Sequence, residues 1–209
     1  MFKISNLEFE VDSAVLSACY FDEAIKKRLG NQNHSFLWYL EIEMLPQEIL
    51  FSEEDEEFYE EIEAVLYHNN GFSLPVQSWQ EIEGIVKTWD TAVNELNEEA
   101  GTLYTFEHED VTSGKIEFMK RMDQDFYVRW SGKANLYWNE EYNEDVPFVF
   151  EGIVHFEGIT AQCDEICSFE QLQLELKQWI NIDEFVVVSQ ESHEVNDGET
   201  YQWQLSLKG

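Results

Sequence analysis

Four of the five histidines are the side chains best placed by type and spacing to do chemistry. They pair when two similar stretches of the chain are aligned, His68 with His155 and His108 with His193. Converging imidazole rings with carboxylates nearby would form a metal site or a hydrolytic centre. Two-histidine phosphoesterases carry Ser or Thr two residues after each histidine, but Asp110 and Val195 stand there. The sequence therefore favours no metal and no cofactor, with a metal-binding or hydrolytic use of these histidines kept as an alternative.

Two shorter patterns are also compatible with metal binding, and neither is complete. Cys163 and Cys167 are three residues apart, but zinc sites normally add a second close pair of ligands, which is missing. Asp123 and Asp125 begin like a calcium loop without its later ligands and glycine. No phosphate-binding loop, dinucleotide fingerprint or nucleophile elbow occurs, so the sequence favours a protein that is not an enzyme.

Net charge is the strongest constraint on partners. The chain has 44 acidic and 12 basic residues, and its formal net charge is −32. Such a surface repels nucleic acid and anionic membranes and steers basic proteins toward itself. We therefore expect a basic protein partner, with no direct binding to nucleic acid or membrane, and the oligomeric state stays open.

Two acidic runs and three tryptophans are the candidate partner-binding residues. Aromatic anchors rimmed by polar residues are typical of interaction hot spots, although solvated turns and core aromatics are the competing interpretation. The candidates are Glu53, Glu54, Asp55, Glu56, Glu57, Glu60 and Glu61 in the first run, Glu140, Glu141, Glu144 and Asp145 in the second, and Trp38, Trp130 and Trp138.

An internal duplication would place these side chains. Residues 76–89 and 166–179 share a serine, a following aromatic, apolar residues at helical spacing and a final tryptophan. Ser78 and Ser168 are predicted N-caps, each with Glu or Gln three residues later, so helices are predicted over 78–89 and 168–180. We expect two units, 31–122 and 123–209, as separate or fused domains, after an N-terminal extension, 1–30.

Strands are predicted wherever β-branched and aromatic residues alternate with polar ones. The extension has a strand at 7–11 and a helix at 13–29. The second unit has strands at 126–130, 133–138, 146–157, 185–190 and 200–207, with turns at 131–132 and 196–198. Residues 112–114 are another predicted turn. Helical spacing and the repeat disagree over 52–66, and the repeat favours a strand over 58–68.

The predicted fold is therefore α+β: two tandem repeat-like units of mostly antiparallel strands, each with one capped helix, plus an N-terminal strand-helix extension. Three cysteines give no disulfide framework, and no apolar run suggests a leader or a membrane span, so a cytoplasmic location is expected. The predicted function is a non-enzymatic acidic binding module, an inhibitor or immunity-type protein that neutralises a basic toxin or nuclease. A structural scaffold whose charge serves only solubility is the remaining alternative.

Overall fold

The structure is a computed structural model that describes residues 1–29, 34–53, 56–137, 144–164, 168–195 and 198–209. Within these ranges the chain forms fourteen strands and two α-helices. In chain order they are β1 (Phe2–Ile4), β2 (Leu7–Phe9), β3 (Val11–Phe21), α1 (Glu23–Leu29), β4 (Phe36–Met44), β5 (Gln47–Glu53), β6 (Glu56–Ile62), β7 (Val65–Tyr67), β8 (Val86–Trp89), β9 (Thr102–Tyr104), β10 (His108–Met122), β11 (Asp125–Ala134), β12 (Val146–Cys163), α2 (Phe169–Leu176), β13 (Phe185–Val195) and β14 (Gly198–Leu207).

Twelve of these strands form one mixed sheet, and β5 and β6 form a separate two-stranded hairpin. The pairing runs from β12 through β11, β10, β9, β7, β4 and β3, and returns to β12. Among the described strands, β3 and β12 are the one parallel pair, and their register matches Val15 with His155. The sheet is therefore closed on itself around a single large apolar core.

The closed sheet has two ends that differ in what covers them. At one end, here called the hairpin end, lie the start of β12 and the segments 45–53, 56–64, 105–107, 135–137 and 144–145. At the opposite end, here called the helix end, lie α1, α2 and residues 72–85 of the connection between β7 and β8. Segments that lie at the same end can be neighbours, whereas segments at opposite ends cannot.

Strand β12 is the centre of the core as well as of the sheet. The Phe156 ring packs against Trp79 at 5.6 Å between ring centroids, against Trp38 at 5.8 Å and against Phe185 at 6.2 Å. These contacts join β4, the 79–82 segment and β13 to β12. Aromatic pairs of this kind stabilise a core beyond their buried area.

The α+β expectation is wrong, because the described chain is mostly strand and has no pair of matched capped helices. In the N-terminal extension, the predicted 13–29 helix is strand over most of its length, since β3 extends from Val11 to Phe21. Hydrogen bonding to β4 on one side and β12 on the other overrides the helix propensity of its Ala and Leu residues. Only α1, capped by the Asp22 carboxylate through the Ile25 amide at 2.8 Å, is helical there.

The predicted 78–89 helix is also wrong beyond its first turn. Ser78 does cap a helix, but it is a single 3-10 turn, Trp79–Ile82, whose two apolar ends are buried. Gly84 then adopts a φ of +83°, which ends the helix, and the β-branched Val86 and Thr88 enter β8. Strands from all three predicted segments, 1–30, 31–122 and 123–209, are hydrogen-bonded into the one sheet.

Two predicted turns lie inside long strands. Ser131 is paired with Lys115 on one side and Val149 on the other, so β11 continues through the predicted hairpin turn. Residues 112–114 lie likewise within β10. Serine and glycine are tolerated here because neighbouring strands on both sides form hydrogen bonds with the backbone.

Other strand predictions are confirmed. The 146–157 strand is the first part of β12, the 58–68 segment is extended over most of its length as β6 and β7, and 185–207 is an antiparallel hairpin of β13 and β14. The turn residues 196 and 197 themselves lie outside the described residues. Within the described ranges, no helix is long and apolar enough to cross a membrane.

The capping box at α2 is confirmed and gives a stability prediction. The Ser168 hydroxyl accepts from the Gln171 amide at 3.3 Å, and the Gln171 side chain accepts from the Ser168 amide at 2.8 Å. Ser168→Ala is expected to lower the free energy of unfolding by about 1 kcal/mol, measured by urea denaturation. Ser168→Asp keeps a capping oxygen and should stay close to the parent chain, so equal losses in both variants would contradict the role of the cap.

Candidate docking surface

The sheet topology brings the described residues of the two predicted acidic segments to the same end of the molecule. Those of the first segment lie on the β5–β6 hairpin, which leaves the sheet after Met44 and returns at Val65. Those of the second, Glu144 and Asp145, directly precede β12, whose first residue, Val146, pairs with Ala134 at the same end. The described residues of both segments therefore belong to the hairpin end.

The β5–β6 hairpin has one face toward the core and one toward solvent. Ile49 and Ile62 are buried in the core, which holds the hairpin against the sheet. On the opposite face Leu50 pairs with Tyr59, and the Tyr59 side chain is 69% exposed. The hairpin therefore presents an exposed aliphatic and aromatic pair to solvent.

Acidic residues frame this exposed pair. Glu48 pairs directly with Glu61 on the same outer face, next to Leu50 and Tyr59, and both glutamates are exposed. Like charges directly opposite each other across a strand pair are destabilising. The outer face therefore places two like charges opposite each other. We call Glu48, Leu50, Tyr59 and Glu61 the hairpin face.

The second acidic segment contributes one ordered carboxylate. The Thr112 hydroxyl donates to Asp145 at 2.6 Å, and the Lys133 ammonium lies 3.7 Å from the other carboxylate oxygen. The hydrogen bond from Thr112 lowers the pKa of Asp145, with Lys133 acting in the same direction. Asp145 is thus ionised and fixed, and Glu144 beside it is exposed.

The remaining acidic candidates divide by where the structure places them. Glu60 is exposed on β6, while Glu53, Glu56 and Glu57 are placed on the two strands by their backbone register alone. The candidates Glu54, Asp55, Glu140 and Glu141, and also Trp138, lie outside the described residues.

Two of the predicted aromatic anchors are core residues. Trp38 is 1% exposed and Trp130 is fully buried, each surrounded by other aromatic rings. Neither presents a ring to a partner. Alternation along β4 and β11 correctly indicates inward and outward faces, but a tryptophan's size favours the inward one.

The sequence-matched histidines do not share an environment. His68 is buried, stacked on Trp130 at 4.6 Å with an interplanar angle of 9°, and neither ring nitrogen has a hydrogen-bond partner in the described structure. Burial lowers the pKa of His68 to about 3. Its counterpart His155 is exposed on β12 and bonds Asp125 at 2.7 Å.

The other matched pair, His108 and His193, lies on two strands that do not pair with each other. His108 is exposed at the start of β10, where its Nδ1 lies 2.9 Å from the Tyr67 hydroxyl. His193 lies on the β13 hairpin strand. Among the residues that the structure describes, no three His, Cys, Asp or Glu side chains are grouped as a metal ion requires. Cys167 lies outside those residues.

The exposed anchors Leu50 and Tyr59 were missed because 47–53 was not predicted as a strand. A usable signal is present in the sequence: the apolar residues Ile49, Leu50 and Phe51 precede the acidic turn, and Phe58 and Tyr59 follow it. Two short segments with β-branched and aromatic residues around a polar turn indicate a hairpin.

Comparisons with known proteins assign no role to this surface. No protein-family model matches the chain, and neither the curated proteins nor the solved structures gave a significant match.

Proposed function

We propose that this chain is a non-enzymatic binding protein that docks a basic protein partner through the hairpin end. The supporting observation is the hairpin face, where an exposed Leu50–Tyr59 pair is framed by two exposed carboxylates, Glu48 and Glu61. In biological terms the proposal is an inhibitor or immunity-type protein that neutralises a cationic toxin or nuclease in the cytoplasm. Its carboxylates would occupy positions where such an enzyme binds phosphates.

Charge supplies the long-range part of this recognition. With a net charge of −32, the chain attracts a basic protein before contact, which raises the association rate and makes it depend on salt. Ion pairs within the hairpin end are few in the described residues: Lys3 with Glu8 and Lys133 with Asp145. Most carboxylates there stay available to a partner.

The apolar pair supplies the short-range part. Charged residues at the rim of an interface mainly set the association rate, whereas buried aromatic anchors set the dissociation rate. Tyr59 offers a large ring with a polar tip, and Leu50 extends its apolar area. Docking would bury both residues and neutralise the like-charged pair beside them.

Capture of basic proteins from a cell lysate, followed by kinetic measurement with the captured protein, tests this function. The parent chain should hold a basic protein at low salt and release it near 0.5 M salt, where the Debye length is about 4 Å. Glu48→Gln with Glu61→Gln is expected to slow association about tenfold. Leu50→Ala with Tyr59→Ala is expected to speed dissociation by a similar factor.

The matched control removes two exposed charges outside the hairpin face. Asp90→Asn with Glu95→Gln changes net charge equally in the segment 90–101, which joins β8 to β9. It should leave both rates within about twofold of the parent values. If no basic protein is captured, or if both charge variants slow association equally, the hairpin face is not the docking surface.

A further inference from the structure

One outer face of the closed sheet differs in local charge from the chain as a whole. All twelve basic residues lie within the described ranges, and a third of them project from the outer surface of β1, β10 and β11. These four are Lys3, Lys115, Lys120 and Arg129. A chain with 44 acidic residues therefore has basic side chains gathered on one part of its sheet.

Burial at alternate positions shows which way the side chains on this part of the sheet point. Ile116 and Phe118 on β10, and Val128 on β11, are buried in the core. Successive residues of a strand point to opposite faces of the sheet. Lys115 and Arg129, which are next to these buried residues in the chain, therefore point to solvent.

Strand register arranges the outward side chains in three rows that cross neighbouring strands. The first row is Val86, Glu117, Arg129 and Glu151. The second row is Lys115, Ser131, Val149, Lys3 and Glu8, and the third is Lys120, Tyr127 and Ile153. We call these three rows the mixed-charge face. It has four basic and three acidic residues, a local charge of +1, whereas the whole chain has a net charge of −32.

Two of the four basic residues on this face have no carboxylate partner. Lys115 pairs with Glu117 at 2.7 Å, and Lys3 pairs with a glutamate of β2. Arg129 stands between two glutamates in its row, yet in the described structure neither Arg129 nor Lys120 forms an ion pair. Both side chains are exposed. Their charged groups are therefore available to another molecule.

Exposed apolar side chains lie among these charges. Ile153, in the third row, is 57% exposed, and Val86, in the first row, is 51% exposed. Met119 is also exposed, at the irregularity of β10 beside Lys120. Exposed apolar groups that are rimmed by polar residues are typical of a surface that another protein covers.

The rows are complementary to themselves. A two-fold axis parallel to the strands, between β11 and β12, would place β11 of one copy opposite β12 of a second copy. Arg129 would then face Glu151 of the second copy, Tyr127 would face Ile153, and Ser131 would face Val149. No like charges meet in these three pairs, and each pair forms twice because a two-fold interface is isologous.

We propose that the mixed-charge face is the contact surface between two copies of this chain in a two-fold dimer. Two chains that each have a net charge of −32 repel each other, whereas this face brings opposite charges and apolar groups together. The outside of a closed sheet is convex, so the contact is centred on β11 and β12 and is smaller than the roughly 800 Å² per partner of a standard interface. The dimer is therefore weak and depends on protein concentration.

Salt separates this dimer from the docking proposed at the hairpin face. The Debye length falls from about 14 Å at 0.05 M salt to about 4 Å at 0.5 M salt. High salt therefore weakens the binding of a basic partner, but it also screens the repulsion between two copies of the same negative chain. The dimer becomes stronger under the conditions that release a basic partner, so the two proposals can fail independently.

Sedimentation equilibrium of the full chain at these two salt concentrations, over a wide range of protein concentration, tests the dimer. The mass should rise from 24.7 kDa toward twice that value as the protein concentration increases. The association constant should be about tenfold higher at high salt, because repulsion between the copies is screened. Ile153→Glu should weaken association about tenfold, because it places a second acid opposite the apolar row.

An exchange of charges tests the pairing across the two-fold axis. Arg129→Glu should abolish association, because it sets two glutamates against each other. Arg129→Glu with Glu151→Arg keeps the net charge of the parent chain and should restore association. Failure of the double variant to associate, although it unfolds at the same temperature as the parent, would contradict the proposed contact.

The matched control is Val188→Glu, which adds one negative charge at an exposed valine of β13, outside the mixed-charge face. It should leave the association constant close to that of the parent chain. A mass of one copy at both salt concentrations, or equal weakening by Ile153→Glu and Val188→Glu, would overturn the dimer. Binding of poly-L-glutamate to a chain that stays monomeric, with loss of that binding in Arg129→Glu, would assign the face to an acidic partner instead.

Discussion

Replacing Gly158 with alanine is expected to destabilise the fold by about 4 kcal/mol or more, the range of the most damaging single substitutions. Gly158 has a φ of +130°, which residues with a side chain rarely adopt. A β-carbon there would overlap the carbonyl oxygen of Leu205 on β14. Because β12 is hydrogen-bonded to β14 on that side, relief would require the two strands to separate.

Gly84 offers a matched control for the same substitution. Its φ is +83°, but a β-carbon there meets no atom within 4 Å. Gly84→Ala should therefore show only the cost of the left-handed backbone, about 1–2 kcal/mol. Urea denaturation gives both values. Losses of similar size in the two variants would show that backbone strain, and not the β12–β14 approach, explains the effect at Gly158.

Acidification is expected to remove up to about 5 kcal/mol of stability through His68 alone. Burial lowers the pKa of His68 from 6.5 to about 3, while the Glu99 carbonyl and the Glu98 carboxylate act in the opposite direction. The unfolded chain therefore binds a proton between pH 6.5 and 3 that the folded chain does not. Stability falls as the pH is lowered through this window and is unaffected by His68 above it.

The Glu98 carboxyl acts in a lower pH window. Burial would raise the pKa of Glu98, but hydrogen bonds from Lys87, Ser73 and Asn94 outweigh burial and lower the pKa to about 2. Its stabilising contribution is complete above pH 4.5 and is lost as the pH falls toward 2. Measurements between pH 7 and pH 5 therefore separate the contribution of His68 from that of Glu98.

His68→Phe tests this assignment. The ring stacks on Trp130, and neither nitrogen makes a hydrogen bond of normal geometry in the described structure, so phenylalanine keeps the packing and removes only the weak interaction with the Glu99 carbonyl. From pH 7 to pH 5 the parent chain should lose about 2 kcal/mol more than the variant. Urea denaturation at the two pH values measures the difference. Parallel loss in both proteins would mean that His68 is not the group responsible.

Local signals predicted those parts of the fold that depend on local physics. The Ser168 cap depends on residues three positions apart, and the β13–β14 hairpin depends on a short turn between alternating strands. The helix predictions for 13–29 and 78–89 were wrong because these segments pair with strands that are distant in sequence. Strand β3 is fixed by β4 and β12, and β8 by β10.

The similarity between the two stretches correctly indicated several strands, but it did not predict where the matched histidines lie. Matched sequence placed His68 with His155, yet one is buried against Trp130 and the other is exposed beside Asp125. A one-residue change of strand register reverses which face a side chain occupies. Similar spacing in two stretches therefore cannot bring their histidines together.

The sequence predicted the negative charge of the candidate surface, but it did not predict which apolar residues are exposed there. Acidic runs are visible in composition alone, whereas their common location follows from the number and direction of the strands between them. Trp38 and Trp130 were predicted as anchors because aromatic residues crowd the two predicted hairpins, but both side chains are buried in the core. The exposed apolar side chains at this surface are instead Leu50 and Tyr59, and their position depends on the register of β5 with β6.

The closure of the sheet by β12 has a consequence for the order of events during synthesis. The edge of β3 that faces β12 leaves the ribosome well before β12 does, because Val15 pairs with His155, which is far later in the chain. Until then an apolar strand edge stays unpaired, which is the kind of edge that invites aggregation. The strong negative charge of the nascent chain, by repelling its neighbours, would protect that edge over the whole interval.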